Sequence, residues 1–245
     1  MIASVFFVVT SGGDFGFSAQ ALKYSVAFAL CYGVSSLTSM MAIYTGPLAL
    51  TSLIIQYSLI IPTIYGLVAL GESVSLMLIL GILLLMISLI FINIESKGEK
   101  KKITLKWGIY VFLAFLGNGG CSTVQKIQQI DCDGMYKNEF MIVALVITGI
   151  VLMIYGKISE KDRFAINIKK GFFWFVMCGA ANGLVNLFVI ILSGRMPVSV
   201  MFPVISAGGI VAAALVSVFL YKEKLSLYQK IGMFLGTLAI VALNI

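Results

Sequence analysis

YSVAFALCYGVSSLTSMMAIYTGPLALTSLIIQYSLIIPTIYGLVALG, residues 24–71, runs for 48 residues without an Asp, Glu, Lys or Arg. A helix rises about 1.5 Å per residue, so about 20 apolar residues cross the bilayer's hydrocarbon. The run is therefore too long for one crossing and long enough for two. Gly46-Pro47 divides it near the middle, and proline is tolerated where a new helix opens. Outward from it, Ser73–Ile94, Trp107–Gln125, Phe140–Gly156, Gly171–Gly194, Met196–Tyr221 and Ile231–Ile245 are also free of charge. These runs predict eight spans: 21–45, 48–70, 73–94, 105–127, 138–156, 171–193, 197–220 and 226–245. Helices suit lipid because their backbone hydrogen bonds close within the segment.

Composition agrees. Of the 245 residues 60% are apolar and 11% charged, with mean hydropathy +1.07. A soluble domain is about 25% charged, so a soluble enzyme, a disordered chain and a nucleic-acid-binding module are excluded. The net charge of +7 does not restore a nucleic-acid partner, because the lysines sit in short clusters between apolar runs. With no histidine, histidine metal sites and histidine acid–base catalysis are excluded. Cys31, Cys121, Cys132 and Cys178 show no C-x-x-C spacing and read as small apolar residues or free thiols. No ATP-binding loop of the form G-x-x-x-x-G-K-S/T is present, and no cofactor is expected. Met1–Thr10 is apolar but about half a span long, and lacks the basic flank and cleavage site of a signal peptide.

The chain repeats itself. An offset of 150 pairs Gly33 with Gly183, Leu37 with Leu187 and Pro47 with Pro197. After one gapped residue, an offset of 151 pairs Glu72 with Glu223, Ser75 with Ser226, Gly81 with Gly232 and Asn93 with Asn244. The matches fall at turns and helix starts, where shared apolar composition would not put them. The second copy holds five spans and the first three. The first copy is thus expected to lack one whole helix and most of another, about 50 residues. Two five-helix units in tandem must lie upside down to each other.

The Gly71-Glu72 and Lys222-Glu223 turns, each followed nine residues later by Gly81 or Gly232, resemble the drug/metabolite transporter superfamily, in particular its EamA-type members. The resemblance covers nearly the whole chain. It implies an all-α polytopic membrane protein of inverted five-helix repeats, here with an incomplete first repeat and eight full transmembrane helices. Residues 1–95 would form that incomplete repeat, 96–104 a basic connecting loop and 105–245 the second repeat. The protein is expected in the cell membrane, with the lipid bilayer and a small-molecule solute as partners and a homodimer possible through Gly179/Gly183 or Gly232/Gly236. Thirteen of the seventeen basic residues, Lys100–Lys102 among them, fall on one side and make it cytoplasmic. The resemblance implies the opposite orientation.

No carboxylate lies at mid-membrane depth, so an intramembrane enzyme is not expected. Glu72 and Glu223 read as helix-start charges favoured by the free N–H groups there. Lys126 reads as a lysine snorkelling to the interface. Neutral polar groups are the better candidates. Asn182 and Asn186 share a helix face, and so do their repeat mates Tyr32 and Ser36. An amide in lipid is costly unless paired, which turns these faces inward. Gln56, Tyr57 and Asn118 join them as candidate substrate-binding residues. The expected function is secondary transport of a small organic solute by alternating access. The alternative is a shortened membrane interaction or structural paralogue without transport of its own.

Overall fold

A computed structural model describes residues 2–11, 15, 16, 18–93, 104–160, 164–206, 208 and 226–243. All regular structure among them is helical: α1 (Ile2–Thr10), α2 (Ala19–Thr45), α3 (Leu48–Gln56), a 3-10 turn at Tyr57–Leu59, α4 (Ile60–Ala69), α5 (Leu76–Asn93), α6 (Leu105–Asp131), α7 (Lys137–Glu160), α8 (Phe164–Ser193), α9 (198–206) and α10 (Leu227–Leu243).

The expectation of eight full transmembrane helices is overturned. Among the described residues five helices are long and apolar enough to cross a membrane: Ala19–Thr45, Leu50–Ala69, Leu105–Asp131, Lys137–Ser159 and Gly171–Ser193. Length is the reason. The helix expected over 73–94 begins only at Leu76, because Ser75 caps it: its Oγ accepts from the Leu78 N–H at 3.0 Å. The apolar stretch that follows, Leu76–Phe91, rises only about 24 Å. The helix expected over 226–245 is Leu227–Leu243, 17 residues. The span expected over 197–220 lies beyond Ser206 largely outside the described residues. The expected fold of inverted repeats with eight full crossings is thereby corrected to an all-α polytopic membrane protein with five candidate transmembrane helices among the described residues.

Several residues paired by the internal repeat do behave alike. Pro47 and Pro197 each open a helix, their carbonyls accepting from Thr51 and Met201 N–H at 3.0 Å. Ser226 caps α10 as Ser75 caps α5. There the cap is reciprocal: Gln229 N–H donates to Ser226 Oγ at 3.2 Å, and Ser226 N–H donates to Gln229 Oε1 at 3.0 Å.

The chain divides into two compact units, residues 1–37 with 120–195 and residues 38–119 with 196–245; the divisions fall inside α2 and α6. In the first unit α1 packs on α7 and α8, which buries Phe7 completely beside Phe28, Phe140, Met141 and Ile190. Ser25 Oγ lies within reach of two carbonyls, Ala21 O at 2.9 Å and Phe140 O at 3.0 Å, tying α2 to α7.

In the second unit α5 and α10 pack along their length over Leu85, Leu89 and Ala239. Ser88 Oγ donates across that seam to Gly232 O at 2.6 Å. A second cluster gathers Ala42, Trp107 and Val111. A Cβ on Gly46 would lie 2.0 Å from Trp107 Cδ1, so only glycine lets the indole lie there. Gly71, at φ +65°, ends the α4 turn in a left-handed conformation that aims the chain at Glu72. The Glu72 carboxylate accepts Val198 N–H at 2.8 Å and Ser199 N–H at 2.9 Å. Glu72 thus does hold a helix N-terminus, but that of α9, 126 residues away, and not its own.

Candidate site

The polar groups of the first unit converge on α8. Asn182 and Asn186 lie one turn apart, and Asn186 Nδ2 donates to Asn182 O at 2.9 Å and Oδ1 at 3.1 Å. Tyr32 of α2 packs against the buried core cluster of this unit and interacts electrostatically with the Asn182 side chain. Phe28 fixes the phenol ring from one turn below, with centroids 5.5 Å apart, and meets Phe140 edge-on at 5.6 Å. From α6, Gln125 Nε2 reaches Asn186 Oδ1 at 3.4 Å and Met141 S at 3.7 Å. The contact to oxygen is long for a hydrogen bond, and a thioether sulfur is a weak acceptor, so this buried amide is held weakly. Ser36 lies one turn beyond Tyr32 and is half-buried.

The sequence-predicted residues therefore divide. Tyr32, Ser36, Asn182 and Asn186 belong to the first unit, and three of these four join one cluster. Gln56, Tyr57 and Asn118 belong to the second. There Tyr57 O–H donates to Met86 O at 2.9 Å, and Asn118 Nδ2 donates to Ser58 Oγ at 2.7 Å. Gln56 is half-buried at the end of α3.

Gln125 is the residue missed by reading the sequence. It is buried together with Gln128 and Gln129. Gln129 Nε2 donates to Gln128 Oε1 at 2.6 Å, and Gln128 Nε2 to Met135 O at 2.9 Å. Their spacing of three and four residues is the signal that could have found them, since it places all three on one helix face.

Charges of this unit gather at helix ends. Lys126 Nζ donates to Ser193 O at 2.8 Å, where a cation suits the negative end of α8. The Tyr24 hydroxyl donates to Asp131 Oδ2, and Gln20 Nε2 reaches Asp131 O at 3.4 Å. Just past α6, burial pushes the Cys132 thiol up, and Asp131 and Asp133 add to the shift. The cluster at Asn182 and Asn186 is built of amides and a phenol. Amides both donate and accept, so such a cluster can exchange internal hydrogen bonds for those of an uncharged or charged guest.

Residues 105–245, more than half the chain, match the model of the EamA-like transporter family. No curated protein matches the chain.

Proposed function

Because the chain belongs to the EamA-like transporter family, a family of transporters and not of enzymes, we propose that it moves a small organic solute across the membrane by alternating access. We place the solute-binding face on Tyr32, Asn182 and Asn186, with Ser36 beside them and Gln125 as a further contact. One observation supports this most: Gln125 is 3% exposed, and among the described residues its amide nitrogen has a long 3.4 Å contact to Asn186 Oδ1 and a 3.7 Å contact to the weakly accepting Met141 sulfur. An amide in an apolar interior gains from a better partner, and a solute's polar group supplies one. Gln56, Tyr57 and Asn118 form a second polar set in the other unit and rank behind these, since Tyr57 bonds a backbone carbonyl and Asn118 a serine hydroxyl, and neither stands with a weakly held buried amide such as Gln125.

The test starts from purified protein in detergent. A panel of small organic solutes is screened by thermal shift, and the hits are followed as flux into proteoliposomes. Asn186→Leu should cut that flux about tenfold, equivalent to about 1.4 kcal/mol, while insertion stays intact because leucine suits lipid. If Asn186→Leu lowers the melting temperature and leaves flux unchanged, the amide cluster is packing and the site assignment fails.

A further inference from the structure

We propose that Cys31 of α2 and Cys121 of α6 form a reversible disulfide when a peroxide reaches them. Both are free thiols in the structure, Cys31 half-buried and Cys121 buried. Both belong to the core cluster of the first unit, which also holds Phe28 and Met141. The two helices run antiparallel past each other there. Near the start of α2 the Tyr24 hydroxyl meets Asp131 at the end of α6. Two turns further along α2, Cys31 meets Gly120, three turns back along α6. Cys132 lies beyond the end of α6 and Cys178 is exposed on α8, and neither belongs to this cluster.

The approach at Gly120 is close. A Cβ built on Gly120 would lie 3.7 Å from Cys31 Cβ and 3.1 Å from Cys31 Sγ. Disulfides hold their Cβ atoms about 3.5–4.5 Å apart, so at this level α2 and α6 are already as near as a bridge requires. Glycine puts no side chain between Cys31 and the next residue, Cys121. The two thiols are close enough to interact electrostatically. Each sulfur swings about its Cα–Cβ bond between staggered rotamers, so the bond closes with little movement of backbone.

Cys31, the more accessible thiol, reacts first. It gives up its proton, its sulfur attacks one peroxide oxygen, the O–O bond breaks, and the departing oxygen leaves as water. Cys31 is then a sulfenic acid. The Cys121 sulfur attacks that sulfur, the S–O bond breaks, and the departing hydroxide takes the Cys121 proton as a second water. The two thiols lose two electrons in all, and hydrogen peroxide is reduced to two waters. The product suits its place, because a disulfide puts neither a charge nor a hydroxyl into the apolar core. Tyr32 follows Cys31 directly, and Gln125 lies one turn after Cys121, so the bridge ties α2 to α6 beside the amide cluster. The bond itself does not depend on transport.

The experiment uses the full chain in detergent with Cys178→Ser, which removes the exposed thiol and its links between copies. Hydrogen peroxide is added, remaining thiols are capped after denaturation, and a non-reducing digest is read by mass spectrometry. The Cys31 and Cys121 peptides should appear joined in most chains, two hydrogens lighter than their sum, and should separate again in dithiothreitol. Cys31→Ala and Cys121→Ala should each abolish the joined peptide. The bridge closes a loop of about 90 residues, so the oxidised chain should melt several degrees above the reduced one. Cys31 recovered as a sulfinic acid with Cys121 still free overturns the proposal. So do both thiols surviving a peroxide dose that fully oxidises dithiothreitol, and Cys31 joined only to Cys31 of a second copy.

Discussion

The two units satisfy their polar groups in different ways. In the first, buried amides lean on one another: Gln125 on Asn186, Asn186 on Asn182, Gln129 on Gln128. In the second, the buried polar side chains among the described residues are all hydroxyls, and these mostly bond backbone, as Ser25, Thr148 and Ser193 also do in the first. Thr51 and Thr63 donate to carbonyls four residues back, Pro47 O and Leu59 O, both at 2.8 Å, and Ser88 donates to Gly232 O. A hydroxyl that closes on its own helix is satisfied wherever that helix goes. An amide that depends on another side chain can change partners, and it costs stability when the partner leaves. The difference supports the proposal that the polar guest is received in the first unit. The second carries seams, with one carboxylate between α4 and α9 doing the work of an anchor.

The largest effect should come from that anchor. Glu72→Ala removes two charge-assisted hydrogen bonds to backbone and leaves both N–H groups bare, a loss of about 3 kcal/mol in reversible unfolding from detergent micelles. Gly66→Ala should act in the same direction without touching the charge, because its Cβ would come 2.7 Å from Glu72 Oε2. If both variants unfold like the parent, the second unit has no anchor and the contrast collapses. Next comes the exchangeable amide. Gln125→Leu should lower solute flux about tenfold with little change in stability, since leucine fills the space and leaves Asn186 bonded to Asn182. Thr63→Val is the control from the other unit: it loses one intrahelical bond, costs about 0.5–1 kcal/mol, and should leave flux untouched. A drop in flux from Thr63→Val as large as that from Gln125→Leu would erase the distinction.

The smallest effect is chemical. Cys132 lies 6% exposed, and its burial holds the thiol above the usual range. The thiolate is the reactive form, so raising the pKa lowers its share at pH 8. Alkylation at Cys132 should then be slower than that of an ordinary thiol and keep accelerating at alkaline pH after the ordinary thiol has levelled off. A pH–rate profile with the plateau of a free cysteine would show the end of α6 to be open to water.

What the sequence made legible was local. Proline at 47 and 197 and serine at 75 and 226 specify helix starts through bonds within four residues, and the structure has helices starting there. That Asn182 and Asn186 share a face of α8 was legible for a similar reason, since a spacing of four sets a face. The number of crossings was not. Hydropathy counts apolar residues and does not register that Ser75 delays α5 by several residues. The partner of Glu72 was out of reach because no periodicity connects a side chain to a helix start 126 residues downstream. Gln125, Gln128 and Gln129 were within reach, but polar residues near the end of a span read as the beginning of a loop.

The distance along the chain between Glu72 and α9 also sets an order of events at the ribosome. Polypeptide emerges at about 5–20 residues per second, so the 126 residues separating Glu72 from Val198 take roughly 6–25 s to make. Throughout that time the carboxylate waits without the two N–H groups it will finally hold. The helices made before it must therefore insert and stay inserted on their own apolarity. The joint between Glu72 and α9 closes only after α5, α6, α7 and α8 have been made.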